Sequence, residues 1–186
     1  MHCSRNVFSK LTTRMTSYKE KLNVITTFMF DVDGVLTNGD VMLLHNEVVR
    51  TLNSRDAYAI QYAVKMGYRI MIVTGGNSQD VKDRLIALGV HEVHLSSFNK
   101  LAIYEQIKTN HHLKDEEILY MGDDIPDYQV MKHAGVAACP QDAAVEIKHI
   151  SHYNSPYKGG KHCVRDVIDQ TLRVQGKWFS EQAFEW

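Results

Sequence analysis

The chain has 186 residues, of which 44% are hydrophobic and 23% charged, which is ordinary for one globular domain with a core of its own. Lysine and arginine total 21 against 22 aspartate and glutamate, so the charge balance does not favour nucleic acid or a membrane as a partner. No apolar stretch approaches the roughly 20 residues of a membrane span.

The cysteines indicate a reducing compartment. Cys3, Cys139 and Cys163 are odd in number, lie far apart and form no Cys-x-x-Cys pair. We therefore expect free thiols and a cytoplasmic location.

The two ends differ from the middle of the chain. Residues 1–20 are rich in serine, threonine and basic side chains and hold no acid before Glu20, which predicts a loose extension outside the fold. We expect a single domain over residues 21–176 and a C-terminal tail over residues 177–186.

The first predicted element is a buried strand that ends in acids. The apolar run Val24–Phe30 stops abruptly at Asp31 and Asp33. Gly34 permits a turn that brings the second carboxylate back beside the first. Taken alone, an Asp-x-Asp more often marks two acids at a strand exit than a catalytic pair.

A small hairpin is predicted next. Val41–Leu44 and Val48–Leu52 flank a reversal at His45-Asn46. We expect this hairpin to project over the end of the first strand.

Strands and helices alternate along the rest of the chain. The other predicted strands are Arg69–Val73, Val90–Leu95, Ile118–Met121 and Val136–Cys139. The first three predicted helices are Asp56–Met66, one that begins after its N-cap Ser78 and ends at Gly89, and Lys100–Asn110. The fourth has Pro126 in its first turn and ends at Gly135, and the fifth is capped by Asp142 and ends near His149. The last has an apolar stripe from Val164 to Leu172. This order predicts an α/β fold, with a doubly wound, mostly parallel sheet and a small β-hairpin flap.

Polar side chains gather at one edge of this predicted sheet. The strand ends and the loops after them carry Asp31, Asp33, Thr74, Lys100, Asp123, Asp124 and Asp127. Each alone has a plain structural role, such as a turn hydroxyl or a helix N-terminal charge. Because the carboxyl ends of parallel strands meet at one edge, we expect them together, where they supply a nucleophile, a proton carrier, oxygen ligands for Mg²⁺ and a cationic clamp.

These motifs resemble the haloacid dehalogenase superfamily of phosphatases. The segment Asp31–Thr37 is similar to its first motif, Thr74 to its second, Lys100 to its third and Gly122-Asp123-Asp124 to its fourth. The resemblance implies that Asp31 forms an aspartyl-phosphate and that Asp33 protonates the leaving group and then activates water. It also implies Mg²⁺ held by Asp31, the backbone carbonyl of Asp33 and Asp123, with Asp124 and Asp127 in support.

Members of this superfamily commonly carry a cap domain, and this chain has no room for one. The gap after the first motif holds only a hairpin and one helix, and the gap after the second only one helix and one short strand. A capless site implies either a macromolecular substrate or a cover supplied by another subunit.

From Phe28 to Trp178 the chain is similar throughout to the 3-deoxy-D-manno-octulosonate 8-phosphate phosphatases, a capless, tetrameric family that serves lipopolysaccharide biosynthesis. The resemblance implies a small sugar phosphate substrate and a homotetramer whose C-terminal tails enter neighbouring sites. The implied substrate-binding residues are Asp33, Ser54, Arg55, Asp56, Ala57, Tyr58, Asn77, Arg84, Lys100, Gly159, Gly160 and Lys161. Arg84 fits a solvated surface charge equally well.

Three departures from the family pattern leave the sugar acid open. Asn77 stands where relatives usually carry an arginine, Ala57 replaces a glycine, and His162 replaces the last glycine of the tail motif. A nine-carbon ulosonate 9-phosphate is therefore an alternative substrate. A phospho-receiver signalling domain is a remote alternative, since receivers place the phosphorylated aspartate on a separate strand from the acid pair.

Overall fold

The computed structural model describes residues 17–45 and 47–185. The strands in these residues are β1 Thr27–Phe30, β2 Met42–Leu44, β3 Glu47–Val49, β4 Arg69–Val73, β5 Glu92–His94, β6 Ile118–Met121, β7 Val136–Cys139 and β8 Tyr153–Asn154. The α-helices are α1 Tyr18–Lys21, α2 Ser54–Lys65, α3 Gln79–Ala87, α4 Lys100–His111, α5 Tyr128–His133, α6 Val145–Ile150 and α7 Cys163–Val174. Within the described chain, no inserted cap domain interrupts this series.

Six strands form one parallel sheet in the order β5-β4-β1-β6-β7-β8. The central strand β1 is buried throughout, and its side chains alternate between the two faces. Phe28 and Phe30 join the core under α2 and α7, whereas Met29 joins the core under α4 and α5. The predicted doubly wound α/β architecture is therefore confirmed.

The strands β2 and β3 form a separate antiparallel hairpin, as the sequence predicts. Its apolar side chains face solvent instead of a core. Met42 is 64% exposed and Leu43 is 76% exposed.

Two predicted strands have wrong bounds. The strand predicted at Val48–Leu52 is Glu47–Val49, and the strand predicted at Val90–Leu95 is only Glu92–His94.

Three further local predictions are wrong. The first strand begins at Thr27 instead of Val24, because Leu22–Val24 form a 3₁₀ turn that leaves Val24 half exposed. Asp142 does not cap α6; its Oδ1 accepts a hydrogen bond from the Gly159 amide at 2.9 Å, and Ala144 takes the cap position. The segment around Tyr153, predicted as a loop, contributes the two-residue edge strand β8.

Both predicted ends pack against the domain where they are described. Residues 1–16 lie outside the described residues, but Tyr18 in α1 stacks on Tyr153 with ring centroids 4.5 Å apart. In the C-terminal tail, Trp178 packs edge-on against Tyr62 of α2. The boundaries at residues 20 and 176 therefore fall inside packed segments.

In the part of the chain that the structure describes, every helix is too short or too polar to cross a membrane.

Candidate active site

The site is built around the chain where it leaves β1. Asp31 has an extended backbone (φ −73°, ψ 169°), and its Oδ1 accepts a hydrogen bond from the Val32 amide at 2.7 Å. The chain then makes one wide helical turn, Val32–Leu36, which contains a kink where Gly34 has φ +80°. A Cβ on Gly34 would lie 2.0 Å from Asp123 Oδ2, so only glycine lets the Asp123 carboxylate come this close.

A buried ion network lies behind the nucleophile. Lys100 Nζ is 2.9 Å from Asp31 Oδ2 and 2.7 Å from Asp127 Oδ1. Tyr120, which is fully buried in β6, donates its hydroxyl to the same Asp127 oxygen at 2.6 Å. Asp127 Oδ2 accepts a hydrogen bond from the Asp123 amide at 3.3 Å. Lys100 therefore has a fixed position between the two acids.

The acids in this network repel one another at close range. Burial and the Asp127 charge raise the pKa of Asp31 to about 6, although Lys100 opposes the shift. Burial, Asp31 and Asp127 raise the pKa of Asp123 to about 7. Burial works against the charge on Lys100, but Asp31 and Asp127 outweigh it and raise the Lys100 pKa. Lys100 is thus charged, and the cluster as a whole has more negative charge than one lysine neutralises.

The cluster fits a divalent cation. Oxygens of Asp31, Asp123 and Asp127 lie within 4.8 Å of one another, and carboxylate oxygens are the ligands that Mg²⁺ prefers. Both Asp127 oxygens already accept hydrogen bonds from Lys100, Tyr120 and the Asp123 amide. Asp31 and Asp123 are therefore the better side-chain ligands, and the Asp33 carbonyl as a third ligand stays a prediction.

Asp33 lies at the front of the same loop. Its side chain is 35% exposed and is held by Arg50, whose Nε donates to Oδ1 at 2.7 Å and whose Nη2 donates to Oδ2 at 3.0 Å. Thr37 Oγ1 adds a long contact of 3.4 Å to Oδ1. This carboxylate is oriented by a two-point ion pair.

An open cleft of about 440 Å³ brings together the residues that the sequence predicts for catalysis, metal binding and support. It is lined by Asp31, Asp33, Thr74, Lys100, Asp123, Asp124 and Asp127. Gly34, Gly75 and Gly76 also border it, so backbone amides can approach a bound group closely. Phe98, which is 90% exposed, stands at its rim.

The predicted substrate-binding residues after the hairpin lie elsewhere in the single chain. Arg55 lines a separate cleft with His162 and Arg165, and Ser54 is exposed. Asp56 is 1% exposed, and its carboxylate accepts hydrogen bonds from the amides of His162 and Arg165 at the start of α7. Direct contact between Asp56 and a substrate is not compatible with this placement, because burial and these bonds occupy the carboxylate.

Ala57 and Tyr58 are also turned toward the C-terminal part of the chain. Ala57 is buried, and the Tyr58 hydroxyl donates to the Ala183 carbonyl. Asn77 is exposed, while Arg84 lines a cleft between the hairpin and α3. None of these four side chains lines the catalytic cleft in the described chain.

The predicted tail contacts have a different role in this chain. Gly159 and Gly160 are buried against the catalytic loop, where the Gly160 amide donates to the Val35 carbonyl at 2.8 Å. A Cβ on Gly159 would lie 2.0 Å from the Gly34 carbonyl oxygen. The glycine pair therefore supports the loop from behind, and Lys161 beside it is exposed.

The sequence analysis missed Arg50, Tyr120 and Phe98. Tyr120 lies in a strand that was predicted to be buried, and a buried tyrosine hydroxyl usually has a hydrogen-bond partner. The sequence could therefore have indicated that Tyr120 bonds to a polar group. Nothing in the sequence pattern connects Arg50 to Asp33, which lies 17 residues away.

Comparison with known proteins gives one consistent result. The chain is 32% identical over 158 residues to the 3-deoxy-D-manno-octulosonate 8-phosphate phosphatase of Escherichia coli K12, which covers 84% of each protein. The crystal structure of the phosphatase with the same name from Yersinia pestis is 28% identical, covers 86% of this chain and 87% of that chain, and has a TM-score of 0.84. The cobalt-bound form of the Haemophilus influenzae deoxy-D-mannose-octulosonate 8-phosphate phosphatase is 26% identical, covers 88% and 98%, and has a TM-score of 0.83.

No protein-family model matches the chain. The identity to the curated relatives nevertheless extends over most of both proteins, and the fold agrees with theirs. The chain therefore belongs to the 3-deoxy-D-manno-octulosonate 8-phosphate phosphatases, within the haloacid dehalogenase superfamily.

Proposed function

We propose that the protein is a Mg²⁺-dependent phosphatase that hydrolyses 3-deoxy-D-manno-octulosonate 8-phosphate to the free sugar acid and phosphate. The observation that carries the proposal is the single cleft in which Asp31, Asp33, Lys100 and Asp123 meet. The curated relatives of the chain carry that activity in their names.

In the first step, a carboxylate oxygen of Asp31 attacks phosphorus, the bond from phosphorus to the sugar oxygen breaks, and an aspartyl-phosphate forms. Lys100 keeps Asp31 ionised, although burial favours its protonated form. Asp33, two residues along the loop and facing the cleft, gives a proton to the leaving sugar oxygen.

In the second step, Asp33 takes a proton from water, and the resulting hydroxide attacks phosphorus. The bond from phosphorus to Asp31 breaks, which releases phosphate and restores the carboxylate. The same residue serves as acid and then as base, so Asp33 needs an exposed carboxylate in a constant orientation. Its 35% exposure and its ion pair with Arg50 meet both needs.

When bound, Mg²⁺ supplies positive charge that draws electrons from the phosphoryl oxygens. Asp31 and Asp123 would hold it, with the Asp33 carbonyl as a further ligand. Thr74 and Lys100 line the other side of the cleft and neutralise the remaining phosphoryl charge. Asp127 keeps Lys100 aimed at this position, and Asp124 closes the acidic side of the cleft.

We further propose a cytoplasmic homotetramer that serves lipopolysaccharide biosynthesis. The exposed apolar hairpin supplies a contact surface, with Leu43 at 76% exposure. Arg55, Arg84 and Lys161 lie outside the catalytic cleft of their own chain and have exposed side chains, so they are free to meet a substrate held by a neighbouring copy. Arginine is suited to bind the substrate carboxylate through two parallel hydrogen bonds.

The test is phosphate release with Mg²⁺ from a substrate panel. The panel contains octulosonate 8-phosphate, a nonulosonate 9-phosphate, hexose phosphates and p-nitrophenyl phosphate. We expect kcat/KM for octulosonate 8-phosphate to exceed the others by about a hundredfold, or roughly 2.7 kcal/mol of transition-state binding. A preference for the nine-carbon substrate would reassign the sugar acid, and equal slow rates would refute both ulosonate assignments.

The matched control is Asp31→Asn. It removes the nucleophile and one negative charge from a crowded acid cluster, so we expect no turnover and no loss of thermal stability. Wild-type rates in Asp31→Asn would refute the covalent mechanism.

A further inference from the structure

Arg50 contacts the proton-transferring residue from outside the sheet that carries the catalytic motifs. It is the first residue after β3, so it belongs to the hairpin and not to the sheet that carries the catalytic motifs. Its guanidinium nevertheless reaches the catalytic loop and contacts both oxygens of Asp33, at 2.7 and 3.0 Å.

The two partners differ in exposure and in the clefts that they border. The Arg50 side chain is 10% exposed, whereas that of Asp33 is 35% exposed and lines the catalytic cleft. Arg50 does not line the catalytic cleft. It borders the cleft between the hairpin and α3, and a small space that it shares with Asp33, Thr74 and Gly76. The guanidinium thus contacts the carboxylate from the hairpin side, and Asp33 still lines the catalytic cleft.

Among the described residues, little else fixes the Asp33 carboxylate. Its other hydrogen bond there is the 3.4 Å approach of Thr37 Oγ1, and the neighbouring residue is the kinked Gly34. A planar guanidinium that makes two parallel hydrogen bonds sets both the position and the plane of a carboxylate, which one long contact does not.

We propose that Arg50 is a positioning residue that holds the proton-transferring carboxylate of Asp33 at the angle that the reaction requires. The proposal rests on the phosphatase function proposed above, because it assumes that Asp33 transfers protons there. Proton transfer needs heavy atoms within about 2.6–3.2 Å, and a misplacement of about 1 Å can reduce a rate about a hundredfold. Arg50 also connects this geometry to the hairpin, so any contact that moves the hairpin would act on Asp33.

Two other roles for Arg50 make different predictions. An arginine that binds the substrate would line the cleft, and its loss would raise KM. An arginine that keeps Asp33 away from the reaction would act as a latch, and its loss would raise kcat. The placement outside the catalytic cleft, with both Asp33 oxygens bound, favours positioning over both.

The test measures kcat and KM for Arg50→Met and Arg50→Lys in the full-length protein with Mg²⁺ and octulosonate 8-phosphate. We expect kcat to fall by about tenfold to a hundredfold in Arg50→Met, with KM changed less than about twofold. Lysine keeps the charge but gives one contact, so Arg50→Lys should recover part of kcat. Arg69 is an exposed arginine at the amino end of β4, so Arg69→Met should have the kcat and KM of the wild type. Thermal unfolding of each variant checks that it is folded.

A double-mutant cycle separates positioning from a general structural effect. If Arg50 acts through Asp33, Arg50→Met should change kcat little when Asp33→Asn is already present. An equal loss in that background would overturn the proposal, as would a wild-type kcat, a raised kcat or a raised KM in Arg50→Met. An inactive wild type would instead refute the phosphatase function, so the two failures are distinguishable.

Discussion

Replacement of Lys100 by methionine tests the buried network most directly. Lys100 is 5% exposed and contacts Asp31 at 2.9 Å and Asp127 at 2.7 Å. Methionine preserves most of the side-chain volume but leaves two buried carboxylates without their cation. Breaking a buried ion pair in this way costs about 3–5 kcal/mol, and about 2–4 °C of Tm is lost per kcal/mol in a chain of this size. We therefore expect Tm at pH 7.5 to fall by about 6–20 °C without Mg²⁺.

The loss should also depend on pH in a defined direction. Without Lys100 the folded-state pKa of Asp31 rises further above its unfolded value of 3.8, so the folded protein binds a proton that the unfolded chain has released. Stability then falls as pH rises above the unfolded pKa, by up to about 1.4 kcal/mol per pH unit and carboxyl group. Lys100→Met should therefore be closer to the wild type at pH 5 than at pH 7.5.

The assay is thermal unfolding of the metal-free protein at the two pH values, followed by phosphate release. Lys114→Met is the matched control, since Lys114 is 73% exposed and 3.9 Å from Glu116, where a surface pair contributes about 0–1 kcal/mol. A Tm loss below about 3 °C at pH 7.5, or a loss that is equal at both pH values, would refute the inferred electrostatics. Activity should fall at least a hundredfold, because the nucleophile and the phosphoryl group lose the same cation.

Three further predictions follow from the same geometry. Gly34→Ala places a methyl group 2.0 Å from Asp123 Oδ2. The Mg²⁺ concentration for half-maximal activity should therefore rise at least tenfold in a folded protein, and an unchanged Mg²⁺ titration would contradict this. In the folded state the pKa of Asp31 is raised to about 6 and that of Asp123 to about 7, so the metal-free protein should lose stability as pH rises from about 4 to 8. The Tm gain from added Mg²⁺ should therefore be largest above pH 7, and an equal gain at pH 5 and pH 8 would contradict this. Asp56→Ala leaves the His162 and Arg165 amides without their acceptor, so Tm should fall by about 3–10 °C with KM unchanged. A raised KM at wild-type Tm would instead support direct contact between Asp56 and substrate.

Local pattern was sufficient for five of the six strands of the sheet, all but β8, and for the residues at its carboxyl edge. The strands at Arg69–Val73, Ile118–Met121 and Val136–Cys139 agree residue for residue with the prediction, because each is a short apolar run between turn residues. Ser78 caps the helix that the sequence assigned to it. Once parallel strands were predicted, their polar ends had to share one edge, which placed Asp31, Lys100 and Asp123 together.

Tertiary structure alone decided which side chains contact one another across the chain. Arg50 reaches Asp33 only because the hairpin folds back over the loop. The Asp56 carboxylate accepts hydrogen bonds from amides at the start of α7, more than 100 residues later. Asp142 resembled a helix cap but binds the amide of Gly159, whose placement depends on the catalytic loop. Periodicity and caps are set by neighbours within a few residues, so the sequence by itself determined the elements and the edge at which chemistry is placed. The pairing of charges and the use of buried acids depend on contacts between distant segments, and these were decided only when the chain packed.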